Sequence, residues 1–128
     1  MKRLAVGVSM VAALALAPPS LALASGPPAG KYTAKITAPA ALKGTWALTF
    51  AKSGTYTISQ AGKVVVRGHD FSVGPQMKMF KETGSKACTS VGYYNFKRTG
   101  KTLTFKKLSD PGCAGRAFVL SHVFKLAG

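Results

Sequence analysis

The chain has 128 residues, with 18 Lys and Arg against three Asp and Glu, for a formal net charge of +15. That length holds one domain with one modest core. Three carboxylates are too few for most acid–base arrangements, and the positive excess favours anionic partners such as envelope polymers, lipid headgroups, nucleic acid or acidic proteins. The lysines are nevertheless spread along the chain and form no run of five or six, which is also the pattern of a plain solvated surface.

The first element is a targeting segment. Lys2 and Arg3 precede an apolar run from Leu4 to about Ala17, Pro18 and Pro19 break it, and Ala22-Leu23-Ala24 supplies the small-x-small pattern that signal peptidase requires. Cleavage is expected after Ala24, so residues 1–24 are assigned as a signal peptide and the product as secreted, or held in the periplasm or cell envelope. The run is shorter than the roughly 20 apolar residues of a membrane span. No second such run follows, so the mature chain is expected to contain no transmembrane segment. Only Lys2 and Arg3 leave with the leader, so 104 residues of net charge +13 remain.

Ser25 to Gly30 (SGPPAG) then reads as a flexible leader. Tyr32, Ala34 and Ile36 alternate with Thr33, Lys35 and Thr37, a short strand inside a leader region of residues 25–43. From Gly44 a regular meander begins and defines a domain of residues 44–128. Trp46, Leu48 and Phe50 share one face, and Ser53-Gly54 turns. Tyr56 and Ile58 alternate with polar neighbours, and Ala61-Gly62 turns again. Val64–Arg67 is a strand, with Gly68 marking a bulge or bend; Phe71 and Val73 continue it, with Phe71 expected to face inward. After Gly74-Pro75 come Met77 and Met79, a polar loop of residues 83–90, then Tyr94 and Phe96. Thr99-Gly100 turns into Leu103 and Phe105, the loop of residues 109–115 follows, and residues 117–126 form one last long strand. Seven to eight short strands at this spacing, with no helical period, predict an all-β fold. Short sequential turns and uniformly amphipathic strands favour a small up-and-down antiparallel β-barrel, since closure removes exposed edges.

Cys88 and Cys113 both fall in loops of the mature part. Two cysteines in a small exported chain are expected to form a disulfide. Neither belongs to a CxxC pair, and no third Cys or His is spaced for zinc, so no metal and no cofactor is expected.

Gly44-Thr45-Trp46 at the head of the first regular strand is similar to the G-x-W motif that opens the barrel in lipocalins and related calycins. Taken in order, GTW, GTY, the glycine bend, GYYNF, KTLTF and DPGCAGR most resemble the short bacterial lipocalin-like domains. The resemblance implies that Arg116, near the start of the last strand, stacks over Trp46 and closes that end of the barrel, with a cation–π contact of about 0.5–2 kcal/mol. Gly44, Trp46 and Arg116 are then structural, and any site lies at the opposite, open mouth. The chain is short for a lipocalin, and the long first loop is reduced to Lys52-Ser53-Gly54. Eight strands are only just wide enough to be filled by side chains, so Phe50, Tyr56, Met77, Met79, Tyr94, Phe96 and Phe105 either pack as a core or, with His122 at the mouth, line a small apolar pocket.

Catalytic patterns are missing. His69 and Asp70 are adjacent on a strand and face opposite ways. Asp70, Glu82 and Asp110 sit in or beside loops and bends, with nothing to bring two of them together. No nucleophile–base pair or phosphate loop occurs. The expected function is a secreted, non-catalytic lipocalin-like binding protein for a small hydrophobic ligand. The alternative is an inhibitor or cationic interaction protein that meets an extracellular protein or an anionic envelope polymer through its surface; specific nucleic-acid binding is not expected of an exported chain.

Overall fold

The computed structural model describes residues 26–127; the expected signal peptide and its cleavage site lie outside the described residues. Eight strands, β1 (Gly30–Ile36), β2 (Gly44–Phe50), β3 (Thr55–Gln60), β4 (Lys63–Val73), β5 (Gln76–Thr83), β6 (Gly92–Thr99), β7 (Thr102–Ser109) and β8 (Phe124–Leu126), follow one another in chain order. Each pairs antiparallel with the next, and β8 returns to β1 through Tyr32 opposite Leu126 and Thr33 opposite Lys125. The fold is therefore a closed up-and-down barrel. A helix, α1 (Ala114–Leu120), lies between β7 and β8.

The period-2 pattern builds this barrel directly. Tyr32 and Ile36, Trp46, Leu48 and Phe50, Tyr56 and Ile58, Met77 and Met79, Tyr94, Leu103 and Phe124 are all buried in one continuous core. The aromatic members meet edge-on or tilted, as Tyr32 with Phe50 and Phe105 with Phe124 do, which suits the ring quadrupoles. The middle of the barrel is thus filled by its own side chains.

Three expectations need correction. The barrel begins at Gly30, not Gly44: β1 pairs along its whole length with β2, from Gly30 opposite Phe50 to Ile36 opposite Gly44. The segment 117–126 is not one strand. Arg116, Val119 and Leu120 are its inward residues, and that i, i+3, i+4 spacing puts three side chains on one helical face. The alternation of Phe118, Leu120, His122 and Phe124 masks it. Phe71 also points outward, with Val73, at 57% and 61% exposure. The extra residue near Gly68 sits in β5 and not in β4: Arg67 pairs with Thr83 but His69 with Phe80, and Lys81 takes a φ of 52°. The phase of β4 therefore runs unbroken through Val66, Gly68, Asp70 and Ser72, all buried.

Candidate functional site

The strand register gives the barrel two different ends. One carries the turn at residues 51–54, the Gly74-Pro75 and Thr99-Gly100 turns, and the leader. The other carries the β1–β2 connection, the loops 84–91 and 110–113, and α1. Cys88 and Cys113 are bonded to each other across those two loops and close a span of 25 residues.

A buried ionic cluster is built at the helix end. α1 turns Arg116 inward, and the bulge at Lys81 reverses the phase of β5 so that Glu82 also points in. A second irregularity, between Tyr93 and Tyr94 of β6, adds a residue to β7, and Asp110 just beyond β7 is buried as a result. Re-aiming one side chain is a common effect of a bulge. Arg116 Nε donates to Asp110 Oδ2 at 2.7 Å, and Arg116 Nη2 donates to Asp110 Oδ1 and, at 3.0 Å, to the Ser90 carbonyl. Arg116 Nη1 lies 3.0 Å from Glu82 Oε2. Glu82 also accepts the Tyr56 hydroxyl and, at 2.8 Å, the Cys88 amide, while Asp110 accepts the Tyr94 hydroxyl. Gly92 lies beneath this cluster, where a Cβ would come within 2.7 Å of Arg116 Nη2 and press on the guanidinium.

The electrostatics follow from burial and pairing. Burial alone would lower the Arg116 pKa, but the hydrogen bonds and charges of Asp110 and Glu82 outweigh it and hold the guanidinium charged. Burial first, and then hydrogen bonding to Glu82, raises Tyr56 above the ordinary phenol range. Burial and Asp110 do the same to Tyr94. Both carboxylates are thus engaged by donors, and the two are brought together through Arg116, contrary to the sequence reading. Arg116 does not meet Trp46 by stacking; the cation–π pairs of the described residues are Arg98 over Tyr32 and Lys78 over Phe80. Trp46 Nε1 instead donates to the Leu42 carbonyl at 2.7 Å.

Trp46 and Arg116 nevertheless border one cavity of about 330 Å³, between the barrel end and α1. Leu42, Trp46, Ile58, Val66, Val119 and Leu120 form its apolar wall, and Glu82, Arg116 and Lys86 its polar side. The end expected to be closed by Trp46 and Arg116 is therefore the one with the space. Phe50, Tyr56, Met77, Met79 and Tyr94 are packed in the core, with Phe96 and Phe105 against it, and none of these seven borders the cavity. His122 is outside the barrel, its Nδ1 3.0 Å from the Phe118 carbonyl at the end of α1. The sequence reading missed Glu82, Asp110 and the helix wall; only the 116/119/120 spacing signalled any of them.

Among the described residues no three His, Cys, Asp or Glu are grouped to hold a metal. No described helix is long and apolar enough to cross a membrane. Comparison with protein-family models, curated proteins and solved structures finds no match.

Proposed function

We propose that this is an exported, non-catalytic, lipocalin-like binding protein whose helix-end cavity takes a small hydrophobic ligand. The observation that carries this reading is the cavity itself: about 330 Å³ with a mostly apolar wall, within the range of small-molecule sites. The closed up-and-down barrel and the Gly44-Thr45-Trp46 opening support the lipocalin-like assignment.

Trp46 is the single tryptophan and borders the cavity, so its fluorescence is a direct probe. Titration with a medium-chain methyl ketone should change Trp46 emission saturably. No saturable change with any apolar probe would refute the reading. The surface alternative has its own observation. Phe71, Val73 and Tyr93 lie exposed around Lys78 on the outer face of β4–β6, an apolar and cationic surface suited to an acidic extracellular protein.

A further inference from the structure

The folded barrel sorts its charges in a way that their spread along the chain hides. All three acidic side chains are inside. Asp70 and Asp110 are 7% and 8% exposed, the Glu82 side chain is 1% exposed, and the chain has no other Asp or Glu. Both salt bridges of the described residues belong to Arg116, so no acidic side chain neutralises a lysine there. Every Asp, Glu, Lys or Arg charge on the described surface is therefore positive.

The cations are also sided. Lys31 and Lys35 of β1, Lys125 of β8, Lys106 of β7 and Lys97 of β6 are exposed and take the outward phase of four adjacent strands. The register interleaves them with threonines. Lys125 stands opposite Thr33 on one side and Thr102 on the other, and Lys97 stands opposite Thr104. On β2 and β3 the same phase holds only Thr, Ala and Ser, from Thr45 and Ala47 to Thr57 and Ser59. Solubility alone calls for charges of both signs interspersed over a surface, and this barrel departs from that on both counts. Lys31 and Lys35 are diagonal neighbours of Lys125 across the β1–β8 pair, about 7–8 Å away. That is within the screening length of about 8 Å at physiological salt, so these lysines repel one another until an anion lies among them.

The residue types select the anion. The face holds lysines and no arginine: Arg98 is turned to the Tyr32 hydroxyl and the Gly100 carbonyl, and Arg67 is on β4. A guanidinium fork matches a planar carboxylate, whereas lysines act as point charges that suit phosphate. Threonine hydroxyls add short donors between them. No aromatic side chain takes the outward phase of β7, β8 or β1, so bases would find no platform to stack on. We propose that the outer face of β6, β7, β8 and β1 binds a linear phosphate polymer that carries no bases. This gives the anionic-polymer alternative a place on the barrel and a charge chemistry, and it needs neither the helix-end cavity nor the apolar surface of β4–β6.

The test titrates the purified protein with long-chain inorganic polyphosphate by calorimetry at several salt concentrations. Wild type is compared with Lys31→Gln/Lys35→Gln/Lys125→Gln and with Lys63→Gln/Lys81→Gln/Lys86→Gln, which removes the same charge from exposed positions outside this face. Both variants should melt close to the wild type. The first should bind at least about tenfold more weakly in 0.1 M salt, and its slope of log affinity against log salt should fall by about 2, as three lost phosphate contacts require. The second should lose less than about threefold, because only the general field weakens. Lys125→Gln alone should give part of the loss of the first variant. Equal losses in the two triple variants overturn the site, since net charge alone would then account for binding. Tighter binding of polyglutamate or of single-stranded DNA than of polyphosphate overturns the phosphate assignment, and no saturable binding to the wild type overturns both.

Discussion

Replacing Arg116 by Met asks how much of this small domain's stability hangs on one buried cation. Arg116 is 6% exposed, Asp110 is 8% exposed, and the Glu82 side chain is 1% exposed. Methionine nearly fills the volume but leaves both carboxylates without a counter-charge. Removing one partner of a buried ion pair costs about 3–5 kcal/mol. Tyr56, Tyr94 and the Cys88 amide still donate to the carboxylates, so the lower figure applies. For a domain near 100 residues, about 3 kcal/mol is a fall of at least about 12 °C in melting temperature. It is also a large part of a total stability of about 5–15 kcal/mol. The assay is paired urea and thermal unfolding of wild type, Arg116→Met and the triple variant Arg116→Met/Glu82→Gln/Asp110→Asn. The triple variant should regain at least half of the loss, because it removes the stranded charges as well as the pair. A single-variant cost below about 1 kcal/mol, or a triple variant less stable than the single one, would refute the electrostatic account of this end of the barrel.

Gly92→Ala should destabilise the fold by about 1–3 kcal/mol by forcing a methyl against Arg116 Nη2, whereas Gly115→Ala in α1, where nothing lies within 4 Å of the new Cβ, should be neutral or gain up to about 1 kcal/mol of helix propensity; chemical denaturation of both variants checks the contrast. Tyr56 and Tyr94 have raised pKa values in the folded state, so the stability they contribute is fully present below the unfolded phenol value of about 10 and declines as pH rises above it. Unfolding free energy should therefore fall above about pH 10, and Tyr94→Phe should flatten that fall. An unchanged alkaline slope in Tyr94→Phe would contradict the buried Tyr94–Asp110 bond.

Alternation in β2, β3, β5 and β7, punctuated by glycine turns, was enough to specify a closed meander, because inward and outward positions differ in apolarity along each of those strands. The pairing of Cys88 with Cys113 was equally legible, since two cysteines in one small chain allow one intramolecular bridge. The helix was not: seven residues carry only two turns of period, and Phe118 and Phe124 supplied a competing alternation. The candidate site was less legible still. Glu82 alternates with Met77 and Met79 on paper, and only the extra residue at Lys81, which no glycine or proline announces, turns it inward. Asp110 reaches Arg116 by a similar slip in β7, and Phe71 faces water because the irregularity beside Gly68 belongs to the neighbouring strand. Sequence periodicity determines which face of a regular strand is buried. Where a ladder gains one residue, that choice passes to the pairing between strands, and there the tertiary structure alone decided which charges this protein buries and where it keeps its cavity.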